Sequence, residues 1–113
     1  MPFIHVRTNL DASDAVCEAV KRELGRAVEA LPGKSENWLM VGIEPSFSLW
    51  FQGSNEGAAM VTVSLYGGAS EEAYDSLTSR ITEILSELMH LAPDRIYVEY
   101  QETPYWGWNG RNF

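Results

Sequence analysis

Phe3-Ile4-His5-Val6 and Met60-Val61-Thr62-Val63, 57 positions apart, open two halves of a chain that repeats itself without a gap. In this register Val6 falls on Val63, Ala12-Ser13 on Ala69-Ser70, Leu24 on Ile81, Val28 on Leu85, and Leu39-Met40-Val41 on Ile96-Tyr97-Val98. Self-similarity at a fixed period marks one supersecondary unit used twice. Each half begins with alternating apolar residues, Ile4 and Val6 in one, Val61, Val63 and Leu65 in the other, which is the period of a half-buried strand. Ser13 and Ser70 can then cap a helix, with Asp14 and Glu71-Glu72 set against its positive end. Val16, Val20, Leu24, Val28 and Leu31 form an apolar stripe, as do Leu77, Ile81, Ile84, Leu85 and Leu88, predicting helices of roughly eighteen residues. Pro32-Gly33 stops the first helix, and Ala92-Pro93 separates the second from Ile96–Tyr100, where period two resumes as it does over Leu39–Ile43.

Both halves therefore read as β-α-β. A right-handed crossover makes the strands of each unit parallel, and the units lie side by side. The prediction is an α/β fold of the α+β kind: one domain over 1–113, repeating as 1–57 and 58–113, with a four-stranded mixed sheet and two helices on one face. Alternation puts Thr62, Ser64, Tyr97 and Glu99 on the other face, too mixed to be core and too aromatic to be idle. Burial against other subunits is the economical outcome. Leu49–Gln52 and Tyr105–Trp108 are expected to be short edge strands that pair with a neighbour's sheet.

The formal charge of −8, with 16 acidic against 8 basic residues and no Lys/Arg cluster, argues against nucleic-acid binding. Anionic membranes would be repelled as well, and no run of 18 apolar residues suits membrane insertion. No signal-peptide pattern is present, so the expected location is the cytoplasm, with release by a non-classical route as the alternative. The single cysteine, Cys17, excludes an internal disulfide and falls in a helix-like segment, where it reads as a small hydrophobe. His5 and His90 lack metal-like spacing, and no phosphate-cradling or dinucleotide motif occurs, so no metal and no cofactor is expected.

Pro2 follows the initiator methionine at the head of the first strand. Removal of Met1, usual before a small residue, would leave a secondary amine at the end of a buried strand. An α-amino group ordinarily titrates near ~8, and desolvation disfavours its charged form. A downward shift of about two units, roughly 3 kcal/mol, makes such an amine a competent base near neutrality. Of the two lysines, Lys34 alone lies outside a helix, at a helix–strand junction where it can attract an anion to an acidic protein. The alternative is an ordinary loop lysine.

With Pro2, Gly33-Lys34, Gly53-Ser54-Asn55-Glu56, Pro93-Asp94-Arg95-Ile96-Tyr97-Val98 and Gly107-Trp108-Asn109-Gly110 in this order, the chain resembles the macrophage migration inhibitory factor family of the tautomerase superfamily throughout its length. The resemblance implies a homotrimer whose sheets surround a central channel, with an active site at each subunit interface. It also implies keto-enol tautomerisation of small aromatic keto acids such as phenylpyruvate, and of dopachrome derivatives. Carried over by position, Pro2 is the catalytic base, Lys34 holds the substrate carboxylate, Tyr66 lines the pocket, and Tyr97 comes from the adjacent subunit. Ser64 joins the substrate-binding set. The alternative function is a cytokine-like trimer that binds a cell-surface receptor and keeps a weak or vestigial site.

Three departures from the family pattern bear on specificity. Glu99 stands where many relatives carry asparagine. If ionised it would repel the substrate carboxylate and raise the Pro2 pKa, if protonated it could donate to the enol oxygen, and it could instead pair with a polar group in the trimer interior. Phe3, Tyr66, Trp106 and Phe113 would form an unusually aromatic rim, suited to a flat substrate or narrow enough to exclude bulky dopachrome esters. They could equally pack a subunit interface. Finally, Ala58 and Val61 occupy the places of a Cys-x-x-Cys element found in some relatives, so thiol oxidoreductase activity is not expected.

Overall fold

The computed structural model describes residues 2–113; the removal of Met1 lies outside the described residues. Strand β1 (Pro2–Thr8) leads through helix α1 (Asp14–Ala27) to β2 (Met40–Glu44), and β3 (Ala59–Tyr66) leads through α2 (Glu71–Met89) to β4 (Ile96–Thr103). The four strands form one sheet in the order β2-β1-β3-β4. Pairing is parallel within each β-α-β unit and antiparallel where β1 meets β3, so the sheet is mixed as expected.

Both helices start where their serines predict. Ser13 and Ser70 have extended backbones, and their hydroxyls accept hydrogen bonds from the N–H groups of Val16 and Ala73. Helix α2, at 19 residues, has the expected length, and α1 is shorter than expected. Helix α1 spans 14 residues and tightens into a 3₁₀ turn at Val28–Ala30, because Leu31 precedes Pro32 and is held extended. Helix α2 ends earlier than Pro93 requires, with His90 in the left-handed region at φ 58°.

The core lies between the helices and one face of the sheet. Ile4, Val6, Val61, Val63 and Leu65 point into it from the strands, and Val20, Leu24, Leu77, Ile81 and Leu85 meet them from the helices. Val16, Ile84 and Leu88 of the expected stripes are only half-buried, and Ala73 and Met89 extend the buried stripe of α2.

The other sheet face carries no helix. Cross-strand rows there run Met40–Phe3–Ser64–Gln101, Gly42–His5–Thr62–Glu99 and Glu44–Arg7–Met60–Tyr97. His5 pairs with Glu44 and stacks on Phe3. Met40 is 68% and Tyr97 60% exposed, an apolar content that a lone soluble subunit would normally cover.

The two expected edge pieces fold within the chain. Gln52 (φ 54°) and Gly53 (φ 75°) make a tight turn closed by mutual hydrogen bonds between Phe51 and Ser54. Similarly, β5 (Gly107–Trp108) pairs with β6 (Arg111–Asn112) around Asn109 (φ 54°) and Gly110 (φ 87°). Two successive positive φ values over Asn-Gly define a type I′ hairpin. Within the chain, Gly107 and Trp108 pair with Asn112 and Arg111.

Candidate active site

Pro2 is buried at the head of β1, where it pairs with Leu65, while its neighbour Phe3 pairs with Met40. A depression of about 280 Å³ opens beside it, lined by Pro2, Asn37, Trp38, Met40, Trp106 and Trp108 among others. The walls beside Pro2 are the indole rings of Trp38, Trp106 and Trp108 with the side chains of Asn37 and Met40.

Lys34 is aimed by the turn before it. Pro32 and Gly33 occupy the central positions of a four-residue turn closed by a 3.1 Å hydrogen bond from Lys34 N–H to Leu31 C=O, and Gly33 takes φ 78°. A positive φ at the third position calls for glycine. The Lys34 ammonium donates to the Tyr66 carbonyl at 3.3 Å. Because Tyr66 follows the strand partner of Pro2, the cation is held at the same end of the sheet as the proline nitrogen. Among the described residues no carboxylate forms an ion pair with Lys34, so its charge faces no internal competitor.

An aromatic rail borders the depression. Tyr66 meets Phe113 at 5.6 Å between ring centroids, Phe113 stacks on Trp108 at 6.4 Å, and Trp108 meets the edge of Trp38 at 4.9 Å. The I′ hairpin makes this arrangement by folding Phe113 back until its N–H donates to the Trp106 carbonyl at 3.0 Å. Trp38, Trp108, Asn37 and Met40 were absent from the sequence-based set. Asn109-Gly110 was the available signal for Trp108, whereas Trp38 is brought in by a 3₁₀ turn at Glu36–Trp38 that periodicity does not reveal.

One chain does not bring the remaining candidates to Pro2. Phe3, expected at the rim, is turned by strand alternation to the helix-free face, where it stacks on His5 at 5.4 Å, and its partner Ser64 shares that face. Tyr97 pairs with Met60, five residues along β3 from Leu65, which is ~17 Å at about 3.3 Å per residue. There it packs against Phe51 at 4.8 Å. Glu99 lies on the same face and accepts hydrogen bonds from Thr62 Oγ1 at 3.1 Å and Gln101 Nε2 at 3.2 Å.

At the Pro2 end of the sheet, Glu102 pairs with Leu65 and accepts a hydrogen bond from the Tyr74 hydroxyl, which also accepts one from Ala69 N–H. Burial and the carboxylate push the Tyr74 pKa up to about 12. Tyr100, stacked on Tyr74 at 4.2 Å, is also raised, chiefly by burial.

Comparison with known proteins agrees with this architecture. The family model for macrophage migration inhibitory factor matches residues 1–113. The mouse macrophage migration inhibitory factor is 30% identical over 100% of this chain and 99% of its own length, and bovine D-dopachrome decarboxylase is 30% identical over 94% and 90%. Among solved structures, MIF2 of Leishmania major superposes with a TM-score of 0.94 at 29% identity, covering 100% of this chain and 97% of that one. A homologue from Prochlorococcus marinus shares the fold at a TM-score of 0.88 and 22% identity, covering 98% of each chain. The chain belongs to the macrophage migration inhibitory factor family of the tautomerase superfamily.

Proposed function

We propose that the protein is a cofactor-independent keto-enol tautomerase of aryl keto acids such as phenylpyruvate, with the Pro2 amine as general base once Met1 is removed. The observation that carries this reading is the position of Pro2, buried at a strand head and lining a tryptophan-walled depression, with Lys34 held at the same sheet end. Membership of the tautomerase superfamily supports isomerase chemistry, and the name of the bovine relative, a D-dopachrome decarboxylase, supports a small aromatic substrate.

Desolvation keeps the secondary amine neutral near pH 7, ready to take a proton from the enolising carbon. The C–H bond breaks to give an ammonium at Pro2 and an enolate, and the ammonium then returns that proton to the enolate oxygen as the O–H bond forms, so Pro2 is regenerated and the reaction is a net isomerisation without redox change. Lys34 binds the substrate carboxylate and so fixes the enolising carbon against Pro2. Trp106 and Trp108 flank the aryl ring and narrow the opening against bulky dopachrome esters. Tyr97, with Glu99 and Ser64 on the same helix-free face, acts from the adjacent subunit of a homotrimer.

Pro2→Gly tests the assignment. Turnover should be lost while the assembled mass is unchanged, and equal activity would refute Pro2 as the base.

The second reading is a cytokine-like trimer that binds a cell-surface receptor, favoured by Glu99 and by the exposed aromatic surface at Trp50 and Tyr105. Failure of a receptor ectodomain to bind at micromolar concentration would remove it.

A further inference from the structure

Two exposed aromatic surfaces lie at opposite ends of the sheet. One borders Pro2, where Trp38 is 44%, Trp108 53% and Met40 68% exposed. The other surrounds Trp50, 65% exposed, and Tyr97, 60% exposed, which together with Leu49, Phe51 and Met60 line an apolar depression of about 130 Å³. Isolated exposed aromatics are ordinary, but contiguous ones mark a contact surface. Cyclic assembly through head-to-tail contacts presents one end of each subunit to the opposite end of the next.

Arg95 ties the segment that follows Trp50 to the sheet end that carries Tyr97. Arg95 Nε donates to the Gly57 carbonyl at 3.0 Å, and its Nη2 reaches the carbonyls of Phe51, Ser54 and Glu56 at 3.1–3.2 Å. Its guanidinium also lies 5.3 Å over the Phe51 ring, which in turn packs on Tyr97 at 4.8 Å. An assembly that delivers Tyr97 to a neighbour must therefore deliver Trp50 alongside it.

We propose that Trp50 of one copy forms an aromatic wall of the Pro2 depression of the neighbouring copy and sets a preference for aryl over alkyl keto acids. The inference rests on the proposed trimer in which Tyr97 acts across the subunit boundary. Within one chain the depression is open and has indole walls from Trp38, Trp106 and Trp108; in the proposed assembly Trp50 of the neighbour adds a further wall. An aryl ring whose carboxylate sits at Lys34 reaches this wall, whereas the methyl group of pyruvate is too short to do so.

The test is titration calorimetry with phenylpyruvate and with pyruvate on wild type, Trp50→Ala and Trp50→Phe, each with its assembled mass confirmed by sedimentation. Trp50→Ala should weaken phenylpyruvate binding about three- to tenfold, the size of one lost aromatic pair, and leave pyruvate within about twofold. Trp50→Phe should recover most of the loss. Unchanged phenylpyruvate binding, or equal weakening of both ligands, overturns the proposal. If Trp50→Ala disperses the assembly, Trp50→Leu keeps apolar bulk without a ring, and the same selective loss is expected of it.

Mixed assemblies test the boundary crossing. Chains with Pro2→Gly and an intact Trp50, co-assembled with Trp50→Ala chains that retain Pro2, should restore aryl preference at the surviving sites, and no restoration contradicts it. Phenylpyruvate binding without turnover in the wild type would remove the tautomerase reading and leave this one standing; turnover with Trp50→Ala silent would do the reverse. A wild type that binds neither ligand overturns both.

Discussion

Lys34 is one of only two lysines in a chain of net charge −8, and its ammonium is held by a single backbone carbonyl, that of Tyr66. A cation tied this lightly can exchange its carbonyl partner for a substrate carboxylate. Lys34→Ala should therefore raise KM for phenylpyruvate about tenfold to a hundredfold, the equivalent of about 1.5–3 kcal/mol for a charge-assisted hydrogen bond. Steady-state kinetics on protein of unchanged thermal stability checks this. Tyr74 gives a prediction of a different kind. Its folded-state pKa of about 12 lies above the ordinary 10.0, so the folded chain binds more protons than the unfolded one between those values. Its contribution is complete below pH 10.0 and is lost as pH rises to about 12. Denaturant midpoints measured across that window should fall with pH, less steeply in Tyr74→Phe, with the residual slope due to Tyr100, whose shift has the same direction. The candidate residues themselves were unequally legible. Pro2 and Lys34 could be read because a terminal proline and a Pro-Gly turn are local features. Phe3 is less legible, because strand alternation sends it to the helix-free face, beside Met40, which also lines the depression.

Elements were legible wherever their causes are local. Ser13 and Ser70 fix the helix starts through their own hydroxyls, and the 57-residue register places the strands. The helix ends were less so, because Leu31 is set by the proline after it and His90 by a left-handed cap that its residue type does not announce. The β5–β6 hairpin carries a strong signal in Asn109-Gly110, yet its strands of two residues each are too short for periodicity to detect. That hairpin holds Trp106 and Trp108 beside Pro2. At Gly110, φ 87° is the only obstacle to a side chain, since a Cβ there would meet nothing within 4 Å. Gly110→Ala should therefore cost about 1–2 kcal/mol of backbone strain and lower Tm by roughly 4–12 °C, read by differential scanning calorimetry. An unchanged Tm would mean that the I′ turn contributes little to the folded state.

At the scale of the whole molecule, one chain is an incomplete account of the proposed site. Pro2 and Lys34 lie at one end of the sheet and Tyr97 ~17 Å away by strand register, so their cooperation requires a second copy. The sequence pointed to this through the mixed character of the helix-free face but could not supply a register between subunits. The claim that unites residue, element and assembly is that a free Pro2 amine does the chemistry. It is tested most directly by following the ultraviolet decay of enol phenylpyruvate with two preparations of the same chain, one beginning at Pro2 and one retaining Met1, each verified by intact mass. The account predicts a clear catalytic rate for the first and loss of that rate for the second, whose proline nitrogen is an amide. Equal rates from both preparations would contradict it.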